Sequence, residues 1–259
     1  MSKKYFDLTG KHALVTAAIT PLAQALVNAL SEAGAVVSTL TLRDDTSELD
    51  ESARILKEYV TADLQGQTKC VDLTKPTSVE IAIDELESDI APIDILVNGA
   101  HCARIQPMLE STVDDWHTMI NLNATSTFVA SHAVGKRIIA RGGTGRIVNL
   151  VSLLHDRGVP NCALFGASQG TVLGFTKSLG LEWGRQGVNV NAIGVGFIDG
   201  LAGPHNDKKL NAILQKTIPV RRTGTTDDLK GIVVYLASDE AGFVNAELFT
   251  VDGAIQTHA

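Results

Sequence analysis

Short apolar runs alternate with longer stretches of helical spacing along the chain, and this alternation restricts the fold more than any other feature of the sequence. Nearly continuous apolar runs are typical of strands that are buried on both faces of a sheet. Strands are predicted at residues 11–16, 35–42, 68–71, 93–97, 145–151, 188–193 and 247–251, and helices at 21–33, 79–87, 113–141, 163–186 and 227–237. With right-handed crossovers, this order predicts a single-domain α/β fold of Rossmann type, a doubly wound parallel sheet of about seven strands with helices on both faces.

The whole chain, residues 1–259, is predicted to form one domain, because no linker, low-complexity tract or internal repeat interrupts the alternation. The acidic segment at residues 44–59 is interpreted as an exposed loop that leads into a helix. A chain of this length buries enough surface to be stable without disulfides or a structural metal.

Composition excludes several classes of protein. The formal net charge of −7 argues against nucleic acid and anionic membranes as partners. No apolar run approaches the roughly 20 residues of a membrane span, and the first residues lack the apolar stretch of a signal peptide. The three cysteines have no CxxC spacing and no HExxH pattern is present, so no metal site is expected. These features predict a reduced, cytoplasmic protein.

Eight short motifs stand in a fixed order along the whole chain. They are LVT at 14–16, VDLT at 71–74, ILVN at 95–98, Trp116 with Asn123, GRIVNLVS at 145–152, VNVNAI at 188–193, YLASDEA at 235–241 and VDG at 251–253. In this order and spacing they resemble the short-chain dehydrogenase/reductase family. The resemblance implies the Rossmann-type fold already predicted, and it implies a nicotinamide cofactor and a catalytic centre whose positions must be checked separately.

The turn after the first strand departs from the family pattern. Where the family has TGxxxGxG, this chain has Ala17, Pro21 and Ala23 in place of the three glycines. Pro21 suits the first turn of a helix capped by Thr20, but it has no N–H to offer a phosphate. The interpretation is a lost pyrophosphate site, and the alternative is a variant loop that binds the cofactor more weakly.

The other cofactor positions are also altered. The second strand ends without an acid for a ribose hydroxyl, and Arg43 is interpreted as part of a solvated turn. Asp72, at the family's adenine-side position, is retained, and Asn98 begins NGAH where the family has NNAG. No cofactor is therefore expected on this chain. The degenerate positions are Ala17, Pro21, Ala23, Asp72 and Asn98.

The resemblance places the catalytic positions by spacing. Active relatives use a tyrosine whose pKa is lowered by a nearby lysine, a serine that holds the substrate oxygen, and an asparagine in the proton relay. Ser152 and Asn123 match the serine and the asparagine, but Phe165 stands at the tyrosine position and Gln169 at the lysine position. Phenylalanine has no hydroxyl and glutamine carries no charge. The four positions are therefore interpreted as vestigial, with no catalytic residue.

The favoured hypothesis is a catalytically inactive, dehydrogenase-like subunit. It would support an active paralogue of the same family in a dimer or tetramer, with NAD on the partner chain, and one candidate reaction is oxidation of a hydroxyacyl-CoA. Family members associate through their two long helices and through the last strand with its preceding helix, which is the basis for this partner.

Two alternatives stay open. The first is a ligand-sensing or regulatory module that uses a vacated cleft lined by Ile19, Leu153, Phe165 and Val195. The second is an enzyme with unconventional chemistry at Ser152 and His155. Turnover that is abolished by Ser152→Ala would be required for that second alternative.

Overall fold

The computed structural model describes residues 5–18, 20–42, 66–100, 102–201 and 208–257. These residues form a seven-stranded sheet in which all neighbouring strands are parallel, in the order β3-β2-β1-β4-β5-β6-β7. The strands are β1 His12–Thr16, β2 Val36–Leu42, β3 Thr68–Val71, β4 Ile95–Asn98, β5 Gly145–Ser152, β6 Val188–Val195 and β7 Leu248–Val251. The predicted doubly wound sheet is confirmed.

Helices cover both faces of this sheet. They are α1 Pro21–Glu32, α2 Pro76–Asp89, α3 Val113–Ile120, α4 Ser126–Ala140, α5 Ala163–Trp183, α6 Lys208–Thr217 and α7 Lys230–Ala237. A π-helical turn, Asn121–Thr125, joins α3 to α4, and a 3₁₀ turn, Leu153–His155, follows β5. The long helix predicted over 113–141 is thus interrupted, and α6 was not predicted from the sequence.

Side chains of successive strand residues point to opposite faces of the sheet and build two separate cores. In β1, Ala13 and Val15 pack with α1 and α7, whereas Leu14 packs with α2, α4 and α5. The central strands β1, β4 and β5 are buried along their whole length. The outer strands β3 and β7 are partly exposed, as expected at the two edges of the sheet.

Several predictions fall on other parts of the chain. Ile19, Arg43 and the segment 44–59 lie outside the described residues. Within the described residues, no helix combines the length and apolarity that are needed to cross a membrane. The assignment of residues 1–259 to one domain stays a prediction.

Candidate functional site

The order of the strands creates a crevice at the carboxyl edge of the sheet. The chain runs outward from β1 to β2 and β3, and then returns to add β4 on the other side of β1. In open α/β sheets, ligands bind at such a reversal of strand order. We call the space beyond the ends of β1 and β4 the switch-point crevice.

The two strand ends beside this crevice approach each other closely. The Thr16 hydroxyl lies 3.4 Å from Oδ1 of Asn98, and it accepts the N–H of Gly99 at 3.3 Å. A Cβ atom on Gly99 would lie 2.5 Å from the carbonyl oxygen of Thr16. Only glycine fits at this position, because any side chain would collide with the end of β1.

The turn from β1 into α1 keeps its compact shape without the family's glycines. Ala17 adopts a left-handed conformation, with φ of 53°, and its N–H donates to the Leu40 carbonyl at 2.7 Å. Left-handed backbone favours glycine, so Ala17 holds this conformation at a cost of about 1–2 kcal/mol. The side chain of Thr20 caps the helix by accepting the N–H of Ala23 at 3.1 Å, and Pro21 occupies the first turn.

Asn98 and Asp72 serve the fold directly. The Asn98 amide is buried and donates to Ser131 at 2.9 Å and to Asn149 at 2.8 Å, so it ties β4 to α4 and β5. Asp72 accepts the hydroxyl of Thr74 at 2.6 Å and its N–H at 2.9 Å. These bonds, the hydroxyl first, lower the pKa of Asp72, which is therefore ionised at neutral pH.

The four catalytic positions lie together at the end of β5. The N–H of Ser152 donates to Oε1 of Gln169 at 2.8 Å, and the Asn123 amide donates to the hydroxyl of Ser168 at 2.9 Å. The Ser168 hydroxyl in turn donates to the Phe165 carbonyl at 2.7 Å. Asn123, Ser168 and Gln169 are each fully buried. Ser168 was not predicted as a site residue, although it directly precedes Gln169 in the helix that was predicted over 163–186.

Asn123 also holds the loop that follows β4. Its Oδ1 accepts the N–H of Cys102 and its Nδ2 donates to the Cys102 carbonyl, both at 2.8 Å. The π-helical turn between α3 and α4 carries Asn123 to this position. The asparagine therefore fixes one wall of the site.

His155 lies in the 3₁₀ turn just beyond Ser152. Its Nδ1 is 2.8 Å from the Ser152 carbonyl, which can only accept a hydrogen bond. Nδ1 therefore carries a proton, and in the singly protonated tautomer Nε2 is the hydrogen-bond acceptor. Ser152 is 6% exposed and His155 is half-buried, so both lie near the surface of the site.

The cysteines near the site are not reactive thiolates. Burial raises the pKa of Cys102 and of Cys162, so both remain protonated at neutral pH. The described residues contain no group of three histidine, cysteine or acidic side chains that would hold a metal ion.

A Rossmann-type sheet with a turn and helix terminus at its switch point defines a nucleotide-binding class of protein. A family model described as enoyl-(acyl carrier protein) reductase matches residues 17–255. The chain is 32% identical to a 2-dehydro-3-deoxy-D-gluconate 5-dehydrogenase of Escherichia coli and 35% identical to one of Pseudoalteromonas atlantica, each alignment covering 96% of both chains. The chain belongs to the short-chain dehydrogenase/reductase family.

A solved structure of a relative agrees with the fold. The gluconate 5-dehydrogenase of Burkholderia cenocepacia, in complex with NADP and tartrate, superposes with a TM-score of 0.87 at 29% identity and covers 98% of both chains. The similarity extends over the whole sheet and both helical layers.

These relatives overturn the favoured hypothesis. Full-length relatives are named dehydrogenases, and a solved one holds NADP, so the expectations of an inactive subunit and of a chain without a cofactor are wrong. The physical reason is that the loss of glycines left the left-handed turn and the helix terminus in place. The ligand-sensing alternative is set aside on the same evidence. The relatives named here give no evidence of a distinct active paralogue. The motif losses also suggest a more specific expectation, the inactive subunit of 2-[hydroxy(phenyl)methyl]succinyl-CoA dehydrogenase in toluene degradation, and these relatives do not support it.

A nicotinamide dinucleotide fits the phosphate side of the crevice better than the nicotinamide side. Leu22 is buried in the first turn of α1, and its N–H has no acceptor within the described residues, so it remains available to a phosphate. Pro21 removes one donor from the same turn. Gln169 is already committed to Ser152 and carries no charge with which to hold a ribose. The residues therefore fit the cofactor with fewer contacts than the family pattern offers.

Proposed function

We propose that the chain is a nicotinamide-dependent oxidoreductase that interconverts a secondary alcohol and a ketone. The observation that carries this proposal is the position of Ser152 at the carboxyl end of β5, the strand next to β4 and the switch-point crevice. Full-length dehydrogenase relatives and the described first turn of α1 support it.

The cofactor site proposed here uses main-chain groups. The left-handed turn at Ala17 leads into α1, and the N–H of Leu22, for which the described residues supply no acceptor, lies in the first turn at the positive end of the helix. Ala17, Pro21 and Ala23 contribute no side-chain contact, and Asp72 and Asn98 hold the strand ends in place. When bound, the nicotinamide ring supplies the acceptor for the hydride.

Proton transfer requires a group other than residue 165. The ring of Phe165 has no exchangeable proton, and the buried amide of Gln169 stays neutral. We therefore keep Asn123, Phe165 and Gln169 as non-catalytic positions and assign two roles at the end of β5. The Ser152 hydroxyl hydrogen-bonds the substrate oxygen. Nε2 of His155 takes the hydroxyl proton as the carbon gives up its hydride, and it returns that proton to water.

Activity measurements on variants test these roles. Formation of reduced cofactor is followed with a panel of secondary alcohols that includes gluconate and 1-phenylethanol. We expect Ser152→Ala and His155→Gln each to lower kcat/KM by about 10²-fold or more. Ser178→Ala and His132→Gln change the same residue types at exposed positions on α5 and α4 and serve as controls. Unchanged turnover in both site variants would refute the assignment.

We also propose that the chain forms a homo-oligomer and works in the cytoplasm. An apolar cavity of about 280 Å³ opens between α4 and α5 and is lined by Ile120, Phe128 and Phe175, among others. Phe128 is 50% exposed there, which is typical of a surface that is covered in an assembly. The three cysteines are unpaired, as expected in a reducing compartment.

A further inference from the structure

A buried apolar cluster surrounds the position where the family's tyrosine would stand. Phe165 is 3% exposed, and the two residues that follow Ser152 are leucines that pack beside it. Phe197, just beyond β6, and Leu214 of α6 close the cluster from the other side. The buried members are Met119, Leu153, Leu154, Cys162, Leu164, Phe165, Phe197, Leu214, Ile218 and Ile255. We call this set the Phe165 cluster.

Three arginines near this end of the sheet already have partners among the described residues. Arg222 makes two hydrogen bonds to the carboxylate of Asp228, at 2.7 and 2.8 Å. Arg157 donates to the Ile255 carbonyl at 2.6 Å, and Arg104 is paired with Asp115. A sugar acid needs a cation for its carboxylate and several donors and acceptors for its hydroxyls, since burying them unpaired is costly.

Polar groups inside the site are likewise committed. The amide oxygen of Gln169 accepts from Ser152, and the Ser168 hydroxyl donates to the Phe165 carbonyl. Asn123 uses both ends of its amide on the backbone of Cys102. Among the described residues, the Ser152 hydroxyl makes one side-chain hydrogen bond, a long one of 3.3 Å accepted from the Leu154 N–H, so it remains for a single substrate oxygen.

The rim of the site continues this apolar character. Ile105, Met108 and Leu109 lie in the loop after β4, and they are 46%, 62% and 100% exposed. Ala103 in the same loop packs against the Phe165 cluster, so apolar surface extends from the rim to the interior. On the opposite side, α6 rests on the cluster through Leu210 and Leu214, while Ile213 points outward and is 58% exposed.

We infer that this site takes a secondary alcohol or ketone with an apolar substituent on the reacting carbon, in place of a sugar acid. This inference rests on the proposed function and names its substrate class. The apolar group of the substrate lies against Phe165 and packs beside Leu210 and Leu214, which form part of the same wall. Phe165 is then a residue that determines specificity, because a tyrosine would bring a hydroxyl into this apolar wall.

Ligand binding to the full chain tests the inference without relying on turnover. Acetophenone and gluconate are compared by saturation-transfer NMR and by their effect on Tm, with NADPH titrated in parallel. We expect acetophenone to bind and to raise Tm, and gluconate to do neither at the same concentration. Leu214→Gln should weaken acetophenone binding at least tenfold, because it places an amide in the apolar wall. Ile213→Gln makes a similar change at the exposed neighbour and should leave binding unchanged.

The outcomes separate this inference from the proposed function. Gluconate binding as tight as that of acetophenone, or NADPH binding with no acetophenone binding, overturns the substrate class and leaves the oxidoreductase in place. Loss of NADPH binding as well overturns both. Leu210→Gln, at a half-buried position on α6, replaces Leu214→Gln if circular dichroism shows that the latter has not folded. Equal loss of binding in Ile213→Gln would also count against the inference.

Discussion

The side chain of Gln169 fills the interior of the site and fixes the end of β5. Its Oε1 accepts the N–H of Ser152 at 2.8 Å, and its Nε2 makes a longer bond of 3.4 Å to Ser168. Both Gln169 and Ser168 are fully buried, so no water replaces either bond at low cost. A glutamine at this position therefore holds Ser152 in place through its main chain.

Removal of this amide should destabilise the protein. We expect Gln169→Ala to lower the free energy of unfolding by about 1–3 kcal/mol, because it leaves a buried N–H without an acceptor. Urea unfolding at neutral pH measures the change. Gln186→Ala makes the same substitution at an exposed residue after α5 and should cost much less. Equal losses in the two variants would show that the bond to Ser152 contributes little.

His12 predicts a pH dependence of stability. It is buried in β1, with Nδ1 2.7 Å from the Ala91 carbonyl and Nε2 2.9 Å from the Ser38 hydroxyl. Burial lowers its pKa below 6.5, although the Ala91 carbonyl and the charges of Asp94 and Glu87 oppose this change. The folded state therefore binds the proton less readily than the unfolded state.

The sign of the effect follows from this lowered pKa. The contribution of His12 to stability is complete above the unfolded-state pKa near 6.5 and falls as the pH drops below it. The slope cannot exceed about 1.4 kcal/mol per pH unit for one group. Urea unfolding between pH 8 and pH 5 should show a smaller slope in His12→Gln than in the wild type. Identical slopes would contradict a neutral, buried His12.

Motif spacing predicted which residues stand at the four catalytic positions, but it did not predict the hydrogen bonds that these residues make. The sequence predicted that Phe165 and Gln169 occupy the tyrosine and lysine positions, and these positions lie beside Ser152. It did not predict that Gln169 accepts from the main chain or that Ser168 bridges to Asn123. Such bonds depend on side-chain rotamers and on distances between elements that are remote in sequence.

At the level of elements, the proposed cofactor site depends on the first turn of α1. Pro21 and Pro76 both begin helices, α1 and α2, and both are exposed. Pro21 deprives the phosphate side of one N–H donor, whereas Pro76 lies at the start of α2, outside the crevice. Replacement of either proline by glycine restores a backbone N–H, but only the one in α1 lies at the crevice. The two variants therefore distinguish a new hydrogen bond to the phosphates from a general effect on helix stability.

Replacement of Pro21 should strengthen cofactor binding. We expect Pro21→Gly to lower the Kd for NADPH by about tenfold, since one added hydrogen bond to a charged group contributes about 1.5–3 kcal/mol before the cost of a more flexible turn. Pro76→Gly should leave the Kd unchanged. Fluorescence titration measures both. A weaker or unchanged affinity in Pro21→Gly would mean that the phosphates do not lie at this turn.

The predicted ends of the strands lie within two residues of the observed ends, because continuous burial imposes a simple apolar pattern on a strand. The strand predicted at 188–193 extends to Val195, and the one predicted at 145–151 ends at Ser152. Helix α6 was missed although Leu210, Ile213 and Leu214 follow helical spacing, because its other residues are mostly polar and Leu214 is its one buried residue. The π-helical turn at Asn121–Thr125 was missed because it continues the helical spacing on either side.

For the whole molecule, the sheet and its two helical layers are preserved while one end of the sheet has changed. The two cores on either face contain aliphatic side chains in the positions that the strand pattern predicts. Substitutions at Ala17, Pro21, Phe165 and Gln169 concentrate at the carboxyl edge. Residue identities alone do not measure how much function such changes remove, which is why the inactive subunit was the wrong conclusion and the relatives were needed.

Titration of the full chain with NADPH tests the central claim most directly. Enhancement or a blue shift of nicotinamide fluorescence is followed at constant protein concentration, and a competing titration with NADP⁺ checks that the signal is specific. The account predicts saturable binding that Pro21→Gly strengthens and NADP⁺ displaces. Absence of saturable binding by a folded chain at millimolar NADPH would contradict the claim that this protein is a nicotinamide-dependent oxidoreductase.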